Sequence, residues 1–254
     1  MKLSKIRILL LVLCATLILT GCSITGRLFT IRGQMCEFDE FVVLSMDQQL
    51  EVALREPVLL ERDIYLLMDA LPTTRVSFPE GVVAGYVFEQ VQMNPDGESA
   101  ATGMEIEFSF VFIQSDGKLR LSKITSSEIP PEILASVTLL AASSASMAEQ
   151  ACDVSINPFK RSVVMEVDQE MLNLLPDRRT AMSWFGPSLR SADNNDSLVY
   201  EFKLKGNQGD RPIVRIDANY DDMGEHLETV KASFTRYDAR IDAPEGTVRL
   251  TLNR

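Results

Sequence analysis

Ile213-Val214-Arg215-Ile216-Asp217-Ala218-Asn219-Tyr220 changes character at each step: Ile216, Ala218 and Tyr220 point one way, and Arg215, Asp217 and Asn219 the other. A period of two belongs to an antiparallel strand with one face on a core and the other in water. Ile106, Phe108, Phe110 and Phe112, separated by Glu107, Ser109 and Val111, repeat the pattern earlier in the chain. Gln114-Ser115-Asp116-Gly117 and Asp221-Asp222-Met223-Gly224 mark hairpin turns beside these strands. A last hairpin, Phe234–Asp242 and Thr247–Leu252, turns at Ala243-Pro244-Glu245-Gly246.

These strands belong to a longer internal repeat. Val42 to Leu50 aligns with Val163 to Met171, and Cys36 and Cys152 each precede their segment with an acidic residue following. Leu59–Pro72 (LLERDIYLLMDALP) aligns with Leu174–Pro187 (LLPDRRTAMSWFGP), both as a short helix closed by a turn. Gly85-Tyr86-Val87-Phe88 then aligns with Val199-Tyr200-Glu201-Phe202. A period this long denotes a duplicated domain, not a solenoid. The expected fold is α+β, with short helices packed on an antiparallel sheet in each of two tandem repeats, residues 36–130 and 152–254. Pro131–Ala151 links them as an Ala/Ser-rich helix, begun by Pro131 and Glu132 and striped by Leu134, Val137, Leu140 and Ala141. A membrane-dipping helix is the alternative there, although the segment lacks basic residues.

Short helices followed by a meander resemble the SmpA/OmlA lipoproteins, also called BamE, of the outer-membrane β-barrel assembly machinery. The likeness rests on Asp177-Arg178-Arg179-Thr180, Phe185-Gly186-Pro187, Leu198-Val199-Tyr200-Glu201-Phe202 and the Asp221–Gly224 turn. Tandem copies are also similar to the doubled fold of the β-lactamase inhibitor protein. The chain departs from the SmpA/OmlA pattern in having two units, and in Ala70-Leu71-Pro72 replacing the Gly-Pro turn in the first.

At the start, Lys2, Lys5 and Arg7 precede an apolar run from Ile8 to Leu19, the layout of a secretory signal over residues 1–21. Leu19-Thr20-Gly21-Cys22 resembles the lipobox of bacterial lipoproteins, in which the cysteine thiol receives a diacylglycerol. An ordinary signal peptide with a chance cysteine is the alternative. Ser23, in place of Asp, implies by that resemblance delivery to the outer membrane, with the chain held on its periplasmic face. Residues 22–35 then form a lipidated tether, reaching about 45 Å at most.

Removing residues 1–21 takes away Lys2, Lys5 and Arg7 from 25 basic residues, leaving 22 against 36 acidic, a net charge of −14. Phosphate backbones repel such a chain, so nucleic acid is excluded as a partner. With Cys14 cleaved away and Cys22 lipidated, Cys36 and Cys152 are an even pair in an oxidising compartment, and a disulfide between them is expected. It is worth about 4–5 kcal/mol in the chain-entropy account. Two separate thiols are the alternative.

Catalytic patterns are missing. The one histidine, His226, lies in an acidic turn, and no nucleophile elbow, Walker loop, H-E-x-x-H or C-x-x-C occurs. Asp217, Asn219, Asp221, Glu225 and Glu228 have calcium-loop spacing, but Asp222 holds the position that needs glycine. No metal and no cofactor are expected. Trp184 and Phe185, before Gly186-Pro187, either anchor a partner or plug the core. Arg178 and Arg179 either contact a partner or form a solvated helix face. The expectation is a non-catalytic outer-membrane lipoprotein acting as a protein-binding scaffold in envelope or β-barrel assembly. The alternative is a periplasmic carrier holding a lipid or other apolar ligand over the Phe108-Phe110-Phe112 stripe, and an unrecognised hydrolase ranks last.

Overall fold

A computed structural model describes residues 37–45, 49–93, 99–127, 155–157, 162–166, 175–186, 197–206, 214–235 and 237–252, with Gly26, Arg27, Thr30, Gly33, Gln34, Leu172 and Ser188. Cys22, Cys36, Cys152 and the linking segment 131–151 lie outside the described residues. So do most of the expected tether and Pro187.

The expected α+β class, with short helices packed on a sheet in each repeat, is overturned: the fold is mostly antiparallel β-sheet. In chain order the described elements are α1 (Phe38–Phe41), β1 (Val42–Ser45), β2 (Leu50–Leu54), α2 (Glu61–Met68), β3 (Thr74–Phe78), β4 (Gly81–Met93), β5 (Ser99–Ser115) and β6 (Lys118–Ser127). Then come β7 (Ser155–Asn157), β8 (Ser162–Glu166), α3 (Arg178–Phe185), β9 (Ser197–Leu204), β10 (Val214–Tyr220), β11 (Leu227–Phe234), β12 (Tyr237–Asp242) and β13 (Thr247–Leu252). They form one 13-stranded sheet in the order β1-β2-β6-β5-β4-β9-β10-β11-β12-β13-β8-β7, with β3 paired to the start of β4. The class shifts because strand dominates the described chain and the helices contribute little to it. β4 and β5 extend for 13 and 17 residues, whereas α2 and α3 have 8 each. Asp69, in the left-handed conformation at φ 49°, closes α2, and Gly186 at φ 74° closes α3.

The two halves join where β4 meets β9, Phe88 opposite Leu204 and Val91 opposite Glu201. One face of this sheet is apolar. Ala84, Tyr86, Phe112, Leu121, Leu198, Tyr200 and Phe202 are buried in one cluster there, with α2 and α3 contributing Ile64 and Ala181. Tyr86 packs edge-on to Phe110 at 5.5 Å, and Phe88 to Phe108 at 5.9 Å. The other face is polar: Arg215 bridges Glu201 and Asp217 at 2.9 Å each, and Lys205 reaches Glu105 at 2.7 Å. The hairpin between β5 and β6 turns on Asp116 and Gly117, both at positive φ, the Asp-Gly signature of a tight turn. Gly81 admits the Phe112 carbonyl, since a Cβ there would lie 1.9 Å from that oxygen.

The starts of α2 and α3 are each secured by a carboxylate. Asp177 caps α3 by accepting from the Thr180 amide at 2.7 Å, and Asp63 accepts from the Leu60 amide at 2.9 Å. Glu61 accepts from the Tyr65 hydroxyl and from Arg75 Nε. Burial pushes the Glu61 carboxyl up, but the bonds from Arg75 and Tyr65 outweigh it and leave the group below its ordinary value. A depressed folded value means this stabilisation is present above the unfolded pKa and is lost as pH falls through the folded one. Glu61→Gln is therefore expected to cost roughly 0.5–1 kcal/mol at pH 7, small because the Arg75 side chain is 45 % exposed. The gap from the unaltered chain, measured by urea denaturation, should close in strong acid.

Candidate functional site

The long strands place their even-numbered side chains in rows across the apolar face, and α2 and α3 cover only part of it. Between the helices lies a cleft of about 470 Å³. Its floor is Phe88 of β4, Ile106, Phe108 and Phe110 of β5, Phe202 of β9, Val214 and Ile216 of β10, and Phe234 of β11. Its walls are the last residues of the two helices, Met68 and Phe185. Phe185 is fixed against Tyr200 and Phe202, with ring centroids 5.1 and 6.4 Å away.

Every described lining side chain is apolar, and the volume falls in the usual range for small-molecule sites. Such a lining offers neither proton transfer nor metal ligation. It does favour removal of hydrocarbon from water, at roughly 25 cal/mol per Å² of apolar surface buried. Polar anchoring is confined to the helix ends, where the Tyr86 hydroxyl donates to the Ala70 carbonyl at 3.3 Å and the Tyr200 hydroxyl to the Gly186 carbonyl at 3.2 Å. These bonds hold the turns after α2 and α3, and with them the two walls.

The four residues singled out from sequence do not gather in one place. Phe185 is a cleft wall and core plug. Trp184, half-buried and 6.4 Å from the Phe185 ring, lines a separate cavity beside α3. Arg178 seats the helix start on the Asp221–Gly224 turn, its amide donating to the Gly224 carbonyl at 3.1 Å, while Arg179 is exposed. The calcium-like spacing is likewise split. Asp217 pairs with Arg215 on the polar face and Asn219 donates to Thr229, whereas Asp221, Glu225 and Glu228 line the cavity with Trp184. Among the described residues, no three His, Cys, Asp or Glu side chains converge to hold a metal ion. Sequence reasoning missed Met68 and the contribution of β9 to the floor; it found Phe185 and the phenylalanine stripe of β5, of which Phe108 and Phe110 line the cleft while Phe112 is buried in the core.

No family model, characterised protein or solved structure matches this chain.

Proposed function

We propose that this protein is a non-catalytic, lipid-anchored envelope protein that carries an apolar ligand, a hydrocarbon chain, in the cleft between α2 and α3. One observation carries the reading: a cleft of about 470 Å³ whose described lining is apolar throughout, on a sheet whose other face carries ion pairs. The lipobox-like Leu19–Cys22 supports attachment through Cys22 to the periplasmic face of the outer membrane. Arg27, five residues beyond Cys22, pairs with Asp63 of α2. The chain between anchor and folded protein then spans at most about 18 Å, which keeps the cleft near the bilayer from which a lipid would come.

The test uses the chain from residue 22 with Cys22→Ser, titrated with the apolar fluorophore N-phenyl-1-naphthylamine and then with palmitate as competitor. Saturable binding in the micromolar range is expected, displaced by palmitate. Ile216→Trp, which fills the floor, should weaken it about tenfold or more. Binding that never saturates, or that ignores the filled floor, counts against a carrier.

A second reading, a protein-binding scaffold, draws on Leu66, Leu71 and Val76, which are 60, 75 and 62 % exposed within one short stretch spanning α2 and β3. The SmpA/OmlA resemblance points the same way. A stoichiometric barrel or barrel-assembly protein co-purifying from detergent-solubilised membranes, and lost on Leu71→Ser with Val76→Ser, would favour the scaffold.

A further inference from the structure

We propose that the cavity beside α3 binds a small organic cation of the alkylammonium class, independently of the apolar cleft. It has a volume of about 780 Å³ and lies between the start of α3, the Asp221–Glu228 turn and the Ala243-Pro244 turn. The chain's one tryptophan, Trp184, and its one histidine, His226, both line it, with Asp177, Asp221, Glu225 and Glu228. Among the described residues, no lysine or arginine does.

Carboxylates alone would make a solvated rim. The half-buried indole in the same walls adds what a rim lacks, an aromatic surface that attracts an ammonium group and packs on an alkyl stem. Leu175 and Leu227 extend that apolar contact. The acids divide by role. Asp177 is occupied by the Thr180 amide, and Asp221 by the Glu225 and His226 amides. Glu225 and Glu228 are exposed, and among the described residues neither is paired with a lysine or arginine. A metal ion needs converging ligands, which these carboxylates do not provide. An anion would face four carboxylates. A cation with an aliphatic body uses both the separated charges and the indole, and the chain's net charge of −11 raises its local concentration.

The single tryptophan makes the test direct, because all indole emission comes from this cavity. The full chain in mild detergent is titrated with spermidine at 150 mM NaCl, with magnesium chloride at matched ionic strength as the control. A saturable change in Trp184 emission with spermidine and none with magnesium is expected. Glu225→Gln with Glu228→Gln should weaken binding about tenfold or more, whereas the same charge change at Glu37 and Glu40, exposed near α1, should leave it within twofold. Failure to saturate, an equal response to magnesium, or equal weakening by both double variants would overturn the site.

Discussion

Asp63→Ala is expected to remove about 3–5 kcal/mol of stability, the cost of leaving one partner of a buried ion pair uncompensated. The Asp63 side chain is 1 % exposed and takes two parallel bonds from Arg27, Nε to Oδ2 and Nη2 to Oδ1, each 2.7 Å. Its Oδ2 also accepts from the Leu60 amide at the start of α2. Truncation strands a guanidinium that is itself only 17 % exposed and leaves a helix-start amide without its acceptor. Replacing the pair together separates these effects. Arg27→Met with Asp63→Leu removes both charges, so most of the loss should return, because desolvating two ions offsets much of what their attraction contributes. Urea denaturation followed by circular dichroism reads both variants. Equal destabilisation by the single and double changes would mean that the lost helix-start bond, not the unpaired charge, carries the effect. If Cys22 carries the anchor proposed above, the variant also frees Arg27 from α2 and so lengthens the tether.

What the sequence shows plainly is what one strand can show alone. The alternation in Ile106–Phe112 and Ile216–Tyr220 marks the buried face, and Asp116-Gly117 marks a hairpin. The aligned tyrosines Tyr86 and Tyr200 make equivalent bonds to the turns after their helices. The seam between β4 and β9 leaves no such trace. It is made by backbone bonds between two strand edges, and a side-chain pattern reports which face is buried, not which edge is paired. The shortness of the helices was legible, since Leu59–Pro72 and Leu174–Pro187 each read as a short helix closed by a turn. The turn that closes α2 is Asp69, whose backbone enters the left-handed region. The cleft then follows from both facts. Met68 and Phe185 become walls of one cleft because each ends a short helix over one continuous sheet.

That continuity yields a prediction with a large and specific effect. Phe112→Ala is expected to cost about 3–5 kcal/mol, because the ring is 0 % exposed and its removal leaves a cavity that a paired sheet cannot close. Phe112 lies opposite Val82 of β4 and Leu121 of β6, far along the sheet order from α3. Were residues 36–130 and 152–254 independent domains, truncating Phe112 would leave the unfolding of Trp184 untouched. A sheet continuous through β4 and β9, with Phe88 packed under the same cleft as Phe185 and Phe202, couples them instead. Trp184 emission in urea should therefore shift to a lower midpoint by on the order of 1–2 M, given slopes of roughly 2–3 kcal/mol per M. Circular dichroism should move with it, as a single cooperative transition requires. An unchanged Trp184 midpoint beside an early dichroism loss would show that the two halves unfold separately, with the shared cleft lost along with the first.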